Sequence, residues 1–278
     1  MEKIGIAVIH LPPLPGSPRF SGSSIDEVLS FALREARVLE ECGADALILE
    51  NFGDAPFEKR VSDPATVASM AVIAREVVKE VSIPVGINIL RNSSIEATAV
   101  AMVAGARFVR VNAFVETLAT DSGLIEPAAP ELARYLARHR PLSSRVEIAA
   151  DILCKHAIPI ATGLSALSQD LEGLEPYVEM IVRDAIERGG ASALIVTGAR
   201  TGEAPSPRLL EMVKRYASDT PVLVGSGASV ENLGKFLRVC DGVIVGSYLK
   251  VGGRAGNATD PHRAEKFFSE LRRLRSHG

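Results

Sequence analysis

The stretch that decides the fold is PVLVGSGASVENLGKFLRVCDGVIVGS, from Pro221 to Ser247. It begins and ends with short runs of β-branched residues, PVLVGS from Pro221 and GVIVGS from Gly242. Between them, apolar residues recur at helical spacing over residues 230–239. A strand, a helix and a second strand in this order predict a βαβ unit, whose two strands lie parallel.

The same alternation extends from this stretch through the rest of the chain. Eight strands are predicted, beginning at residues 4, 45, 83, 107, 146, 192, 221 and 242. Helices are predicted over residues 25–42, 64–81, 93–104, 130–139, 176–188, 207–216, 230–239 and 261–274. Eight βα units in 278 residues match a closed (β/α)8 TIM barrel, whereas an open doubly wound sheet usually has fewer strands and an early GxGxxG fingerprint. We therefore predict an α/β protein with a single TIM-barrel domain over residues 1–278.

Composition and charge disfavour two classes of partner. The 31 Lys and Arg residues nearly balance 34 Asp and Glu residues, for a formal net charge of −3, so we expect no nucleic-acid partner. No run approaches the roughly 18 apolar residues of a spanning helix, and the N-terminus leads directly into the first strand. We expect a cytoplasmic protein without membrane insertion. The preference for Arg over Lys fits a heat-adapted source.

Three cysteines, Cys42, Cys154 and Cys240, are an odd number and lack CxxC spacing. This pattern predicts neither a disulfide framework nor a zinc site. We interpret the three side chains as small buried hydrophobes.

Glycine and serine follow both the seventh and the eighth predicted strand. In TIM barrels these two loops often bind phosphate, because glycine lets backbone N–H groups converge on an anion. The predicted phosphate-binding residues are Gly225, Ser226, Gly227, Gly246, Ser247 and, as an added positive charge, Lys250. The alternatives are ordinary turn glycines and a solvated lysine. The expected ligand is a small phosphorylated metabolite.

Side-chain alternation places polar residues inside the barrel, where branched aliphatics normally dominate. Arg110 and Asn112 share one face of the fourth strand, and Glu147 and Asp151 share one face of the fifth. Because unpaired buried charge is costly, we expect an ion pair between Arg110 and Glu147. Asn112 and Asp151, at the strand ends, are expected to face a ligand, although a purely structural polar layer remains an alternative.

Further polar residues follow other strands and so are expected at the carboxyl end of the barrel, where active sites of this fold lie. They are His10, Glu50, Asn51, Asp54, Asn88, Arg91, Lys155, His156 and Thr197. For acid–base chemistry we expect Glu50 or Asp151 as general base and His10 or His156 as general acid.

Two variants of this chemistry remain open. Lys155, desolvated beside Arg110, is an alternative nucleophile that forms a Schiff base. No cofactor is required, but Glu50, Asp54 and Asp151 are candidate Mg²⁺ ligands because carboxylate oxygens suit that ion.

Several motifs together resemble the BtpA family. They include VIHLPPLPGSP from Val8, GADALILENFGDAPF from Gly43, DILCKHA from Asp151 and DGVIVGSYLKVGG from Asp241, and such matches span nearly the whole chain. The family usually has Asp where this chain has Ser93. The resemblance implies a barrel related to ribulose-phosphate-binding barrels. It carries over as motif residues His10, Glu50, Asn51, Asp54, Asn88, Arg91, Arg110, Asn112, Asp151, Lys155 and His156.

Two functions follow as hypotheses. The first is an enzyme that acts on a phosphorylated sugar, nucleotide or nucleoside-like metabolite, as a lyase, an isomerase or a glycosyl hydrolase or transferase. The second is a non-catalytic assembly or stabilising factor of the photosystem I biogenesis type, with the barrel as a ligand-sensing scaffold. We also expect a homo-oligomer, since the proline-rich residues 11–20 are stiff enough to reach a neighbour. The alternative is that this segment covers the pocket of its own chain.

Overall fold

The computed structural model describes residues 3–22, 24–162 and 173–276, so part of the segment before the predicted helix over residues 176–188 lies outside the described residues. Eight parallel strands form a closed barrel, in which the first strand pairs with the last. The barrel strands are β1 (Ile4–His10), β2 (Ala46–Glu50), β3 (Val85–Asn88), β4 (Phe108–Val111), β7 (Glu147–Ile152), β9 (Ala193–Val196), β10 (Val222–Val224) and β11 (Gly242–Val245). The predicted TIM barrel is confirmed.

Within residues 3–22, 24–162 and 173–276, eight α-helices lie outside the strands, and all eight correspond to predicted ones. They are α1 (Ile25–Cys42), α2 (Pro64–Glu80), α3 (Ser94–Ala104), α4 (Ala129–Arg138), α5 (Glu175–Arg183), α6 (Pro207–Tyr216), α7 (Val230–Phe236) and α8 (Pro261–Arg275). A π-helical turn, Asp184–Arg188, continues α5.

Local sequence signals explain where the helices begin. Asp63, Ser206 and Asp260 each precede a proline, and each side chain accepts a hydrogen bond from a backbone N–H in the first helical turn. Gly43 ends α1 in the left-handed conformation, with φ of 99°, which favours glycine.

The barrel interior changes from apolar to polar along its axis. Its apolar part consists of strand side chains such as Ile6, Ile48, Ile195 and Ile244. A second and larger apolar core lies between the strands and the helices. Polar groups therefore collect at the carboxyl end of the strands, above the apolar layer.

A small antiparallel sheet is a feature that the sequence did not predict. Its strands are β5 (Leu118–Thr120), β6 (Gly123–Ile125) and β8 (Ala157–Pro159), in the order β6–β5–β8. The three strands lie in the connections after β4 and β7 and therefore beside the mouth of the barrel. Three residues are too few for a period-two pattern to be recognised.

No helix in the described ranges combines the length and the apolar character needed to cross a membrane.

Candidate active site at the barrel mouth

A cavity of about 210 Å³ opens at the carboxyl end of the barrel. Its lining includes ionisable residues from β1, β2, β4 and the segment after β7, together with the loops that follow β10 and β11. The predicted site residues that line it are His10, Glu50, Arg110, Lys155, Gly225, Ser226, Gly227, Gly246 and Ser247. Folding therefore brings the predicted phosphate loops and part of the predicted catalytic group to one space.

His10 and Glu50 are neighbours across β1 and β2, in register at the ends of the two strands. His10 Nε2 lies 3.8 Å from Glu50 Oε1, and His10 Nδ1 accepts a hydrogen bond of 3.3 Å from the backbone N–H of Gly256. Burial lowers the pKa of His10 well below its ordinary value, and the nearby cations Lys250, Lys155 and Arg110 lower it further. The imidazole is therefore neutral with its proton on Nε2, so that it presents a hydrogen-bond donor.

Glu50 presents a carboxylate to the cavity. Its side chain is about 6% exposed. Among the described residues, the His10 ring nitrogen is the only basic group within 4.0 Å of it. Its oxygens are consequently able to accept a proton or a hydrogen bond from a bound molecule.

Arg110 is held by Asp151 and not by Glu147, so the predicted Arg110–Glu147 ion pair is wrong. Arg110 Nε and Nη2 donate to the two Asp151 oxygens at 2.9 Å and 3.0 Å. Asn112 Nδ2 donates to Asp151 Oδ2 at 3.0 Å, and Asn88 Nδ2 donates to Asn112 Oδ1 at 3.0 Å. Glu147 is exposed at the open amino end of β7, where water solvates its charge.

This network also corrects the prediction that Asp151 is a general base. The Asp151 side chain is completely buried, and both of its oxygens accept hydrogen bonds from Arg110 or Asn112. It does not line the cavity. Asp151, Asn112 and Asn88 therefore orient Arg110, and of these four residues only Arg110 reaches the cavity.

Lys155 follows β7 and extends into the cavity. Its backbone N–H donates to Thr197 Oγ1 at 2.8 Å, so Thr197 anchors the loop and does not line the cavity as a ligand-binding residue. Burial lowers the pKa of Lys155, and Arg110 lowers it further. Within the described ranges, no carboxylate lies within 4.0 Å of its Nζ.

The loop after β10 forms one wall of the cavity, but several of its polar groups are already hydrogen-bonded within the protein. The Gly225 N–H donates to Val196 O at 2.8 Å, as part of the barrel, and is not available to an anion. Ser226 Oγ donates to Glu203 O at 2.6 Å and accepts from Gly198 N at 2.9 Å. The Ser226 hydroxyl thus fixes the loop after β9, and only its backbone is left for a ligand.

Gly227 and Ser247 also line the cavity, and the N–H group of each is a candidate donor to an anion. In the described part of the chain, no acceptor occupies either N–H. Gly227 has a φ of 70°, and a Cβ atom there would lie 2.4 Å from Ala204 N. Only glycine therefore lets the backbone take this path. Gly246 leaves room for the His10 ring, because its Cβ would lie 3.0 Å from His10 Cε1.

Sequence analysis missed eight further residues that line the cavity, namely Val8, Thr201, Gly202, Ala228, Ser229, Tyr248, Gly253 and Arg263. Arg263 is the most significant of them because it adds a positive charge. Its Nε donates to Tyr248 O at 2.6 Å, and its guanidinium carbon lies 4.6 Å from the centre of the Tyr248 ring. Arg263 lies in the first turn of α8, and only the folded path of the loop after β11 brings it to the cavity.

Lys250 does not line the cavity with the predicted phosphate-binding loops, contrary to prediction. Its side chain is 0% exposed, and Nζ donates to Glu35 Oε2 at 2.7 Å and to Thr259 Oγ1 at 3.0 Å. The chain turns after Ser247, so a residue three positions further on points into the space between the loop and α1. Lys250 consequently links these two segments.

His156 is also outside the cavity, so its predicted role as general acid is not supported by its position. Its ring Nε2 accepts a hydrogen bond of 3.1 Å from Thr201 N, and its backbone oxygen accepts one of 2.8 Å from Arg91 Nη2. Arg91 is 3.4 Å from Asp121 as well. Arg91 and His156 thus connect the loops around the mouth, and neither side chain lines the cavity.

Asn51 and Asp54, from the NFGD motif, stabilise the loops that follow β1 and β3. Asp54 Oδ1 accepts from Leu14 N at 2.8 Å, and Asp54 Oδ2 accepts from Asn51 Nδ2 at 2.9 Å. Asn51 Oδ1 accepts from Leu90 N at 2.7 Å. Burial raises the pKa of Asp54. Neither residue lines the mouth cavity.

The predicted Mg²⁺ ligands Glu50, Asp54 and Asp151 do not form a cluster. Asp54 and Asp151 are occupied by backbone, amide and guanidinium donors, as described above. In residues 3–22, 24–162 and 173–276, no three His, Cys, Asp or Glu side chains are grouped so that they could hold a metal ion. The residues present therefore do not fit the predicted ion.

Comparison with other proteins agrees with the architecture. Among solved structures, the barrel superposes on N-(5'-phosphoribosyl)anthranilate isomerase from Pyrococcus furiosus with a TM-score of 0.58 at 17% identity, covering 98% of this chain and 100% of that one. A 7,8-dihydropteroate synthase from Vibrio fischeri gives a TM-score of 0.56 at 14% identity, covering 99% and 93%. At such low identities the likeness shows the fold alone.

Sequence comparison identifies the family. The chain is 43% identical to the photosystem I biogenesis protein BtpA of Synechocystis, over 96% of this chain and 87% of that protein. It is also 43% identical to an uncharacterized protein of Pyrococcus horikoshii, over 97% and 96%. The BtpA family model matches residues 1–273, which confirms the resemblance seen in the motifs. The chain belongs to the BtpA family.

Proposed function

We propose that this protein is an enzyme that binds a small phosphorylated metabolite at the barrel mouth and acts on it by acid–base chemistry. The observation that carries the proposal is that one cavity, of about 210 Å³, is lined both by glycine-rich loops and by the side chains of His10, Glu50, Arg110, Lys155 and Arg263. The combination of convergent polar groups and shifted pKa values in one concave site is typical of active sites.

Charge supports an anionic ligand. Arg110, Lys155 and Arg263 line the cavity, and Glu50 is the carboxylate that lines it with them. Because Asp151 partly neutralises Arg110, the net charge of the groups around the cavity is positive but small. A single phosphate group bound by the N–H groups of Gly227 and Ser247 would balance it.

Glu50 and His10 are the proposed catalytic pair. Glu50 accepts a proton from the substrate, and neutral His10 donates a hydrogen bond or a proton through Nε2. Both groups lie at the ends of neighbouring strands, on the part of the cavity formed by β1 and β2. The phosphate loops follow β10 and β11, so the anion and the reacting atoms of a small substrate are held by separate parts of the rim.

An assembly role is the second candidate function, and the name of the Synechocystis relative favours it. In that case the cavity would bind a metabolite as a signal without converting it. A metabolite that binds at the mouth and is recovered unchanged, with no exchange of its carbon-bound protons for deuterium, would support this second function over catalysis.

Thermal unfolding tests the phosphate site. We expect ribose 5-phosphate or inorganic phosphate, at 100 times its dissociation constant, to raise the free energy of unfolding by about 2.7 kcal/mol. Ribose without phosphate should cause no shift. Absence of a shift with every phosphorylated compound tested would contradict the proposal.

A pair of glycine variants provides the control. Gly227→Ala should abolish the ligand-induced shift, because the new Cβ displaces the loop backbone from Ala204. Gly190→Ala has a comparable positive φ, of 74°, but no atom within 4 Å of its Cβ position. Gly190→Ala should therefore keep the ligand-induced shift. The comparison of the two variants distinguishes the effect of backbone strain from the loss of the anion site.

A further inference from the structure

We propose that the substrate of the mouth cavity carries a ketone or aldehyde, and that Lys155 Nζ attacks this carbonyl to form a protonated imine. This inference rests on the proposed function, since it uses the same cavity and the same phosphate loops. It adds the chemical class of the reacting group and assigns the covalent step to one residue.

The first argument is position. The Lys155 segment is fastened to β9 and to the loop after it by two hydrogen bonds, from Lys155 N to Thr197 Oγ1 at 2.8 Å and from His156 N to Ala199 O at 2.9 Å. The side chain then lines the cavity together with Glu50 and Arg110. An amine, a proton acceptor and a phosphate site thus border one small space.

The second argument is the missing counter-ion. The two most deeply buried cations near the mouth each have a carboxylate, Asp151 for Arg110 and Glu35 for Lys250. Within the described ranges, Lys155 Nζ has neither a carboxylate within 4.0 Å nor a hydrogen-bond acceptor. A lysine that is partly desolvated next to another cation loses its proton more readily, which makes the amine nucleophilic. The lowered pKa of Lys155 agrees with this.

The proposed step balances as follows. The Nζ lone pair forms a bond to the carbonyl carbon, and the C=O π pair moves to oxygen. Glu50 transfers a proton from the nitrogen to that oxygen, which gives a neutral carbinolamine. A second proton, taken from solvent through Glu50, lets the hydroxyl leave as water while the nitrogen lone pair forms the C=N bond. The net reaction joins an amine, a carbonyl and one proton to give an iminium ion and water.

Borohydride trapping tests the imine directly. The full chain is incubated with dihydroxyacetone phosphate or ribose 5-phosphate, reduced with sodium borohydride and digested for mass mapping. We expect the reduced adduct on the peptide that contains Lys155. The exposed Lys59 peptide serves as an internal control for unspecific labelling and should remain unmodified.

Two controls define the chemistry. Glycerol 3-phosphate has a phosphate but no carbonyl and should leave no adduct. Lys155→Arg keeps a positive charge but has no amine that can form an imine, so it should remain unlabelled with every compound. Labelling of wild type should already reach half its maximum at a pH well below that of an exposed lysine.

The outcomes separate this inference from the proposed function. If a carbonyl phosphate raises the unfolding temperature but leaves Lys155 unlabelled, the phosphate site stands and the imine is excluded. If Lys155→Arg forms as much borohydride-reduced adduct as the wild type, the adduct lies on another residue and the imine at Lys155 is again excluded. If no phosphorylated compound binds, both proposals fail together.

Discussion

Among the residues that the structure describes, Asp151 is the only carboxylate that forms an ion pair with Arg110. Its guanidinium is buried and makes two hydrogen bonds to Asp151, which leaves Asp151 no other role at the mouth. We expect Asp151→Asn to lower the free energy of unfolding by about 3–5 kcal/mol, because it leaves a buried cation without a counter-ion. Urea denaturation at neutral pH measures the change.

Glu147→Gln is the matched control for this prediction, since it removes a carboxylate from the other end of the same strand. Glu147 is exposed, so the expected change lies within about 0.5 kcal/mol. A large loss for Glu147→Gln combined with no loss for Asp151→Asn would contradict the ion pair described above.

At the scale of elements, one buried cluster links α1 to the segment between β11 and α8. Lys250 Nζ contacts Glu35 Oε2 at 2.7 Å, and Glu35 Oε1 accepts from Thr259 N at 2.8 Å. We expect Lys250→Met to cost about 3–5 kcal/mol, because the Glu35 carboxylate stays buried without its cation. The double variant Lys250→Met with Glu35→Gln should cost less than Lys250→Met alone, as a double-mutant cycle would show.

An exposed pair serves as the control for this cluster. Lys79 and Glu76 lie one turn apart on α2, and both side chains are exposed. Lys79→Met should change stability by less than about 0.5 kcal/mol. If Lys250→Met changed the free energy of unfolding equally little, the cluster would not stabilise the contact between α1 and the segment that joins β11 to α8.

For the molecule as a whole, stability is expected to depend on pH through Glu116. Burial raises the pKa of Glu116 to about 7, whereas hydrogen bonds from Leu153 N and Tyr177 Oη partly oppose the shift. Because the folded state holds this proton more tightly than the unfolded chain, the stabilisation is complete below about pH 4.5 and is lost as the pH rises to about 7. With 1.36 kcal/mol per unit, the loss is about 3 kcal/mol.

Glu116→Gln isolates this contribution from those of other titrating groups. Glutamine is neutral and keeps an acceptor for the Leu153 N–H, so the variant should lack this part of the pH dependence. We expect its free energy of unfolding, relative to wild type, to be higher at pH 8 than at pH 5. Parallel pH profiles for the two proteins would contradict a raised pKa at Glu116.

The sequence was sufficient for elements whose signals are local. Asp63 and Asp260 begin helices because the cap and the following proline act within one turn. His10 and Glu50 come at the ends of predicted strands, so their place at the carboxyl end of the barrel was also predicted. The three short strands β5, β6 and β8 carried no such signal, because their pairing depends on two loops meeting.

By itself, then, the sequence determined the eight βα units and the end of the barrel at which polar residues collect, since periodicity and capping act over a few residues. The tertiary structure alone decided which polar residues share the cavity. In register, Arg110 lies opposite Ala149, two residues from both Glu147 and Asp151. Glu147 is solvated at the open amino end, whereas Asp151 is buried, and the cost of an unpaired buried charge assigns Arg110 to Asp151.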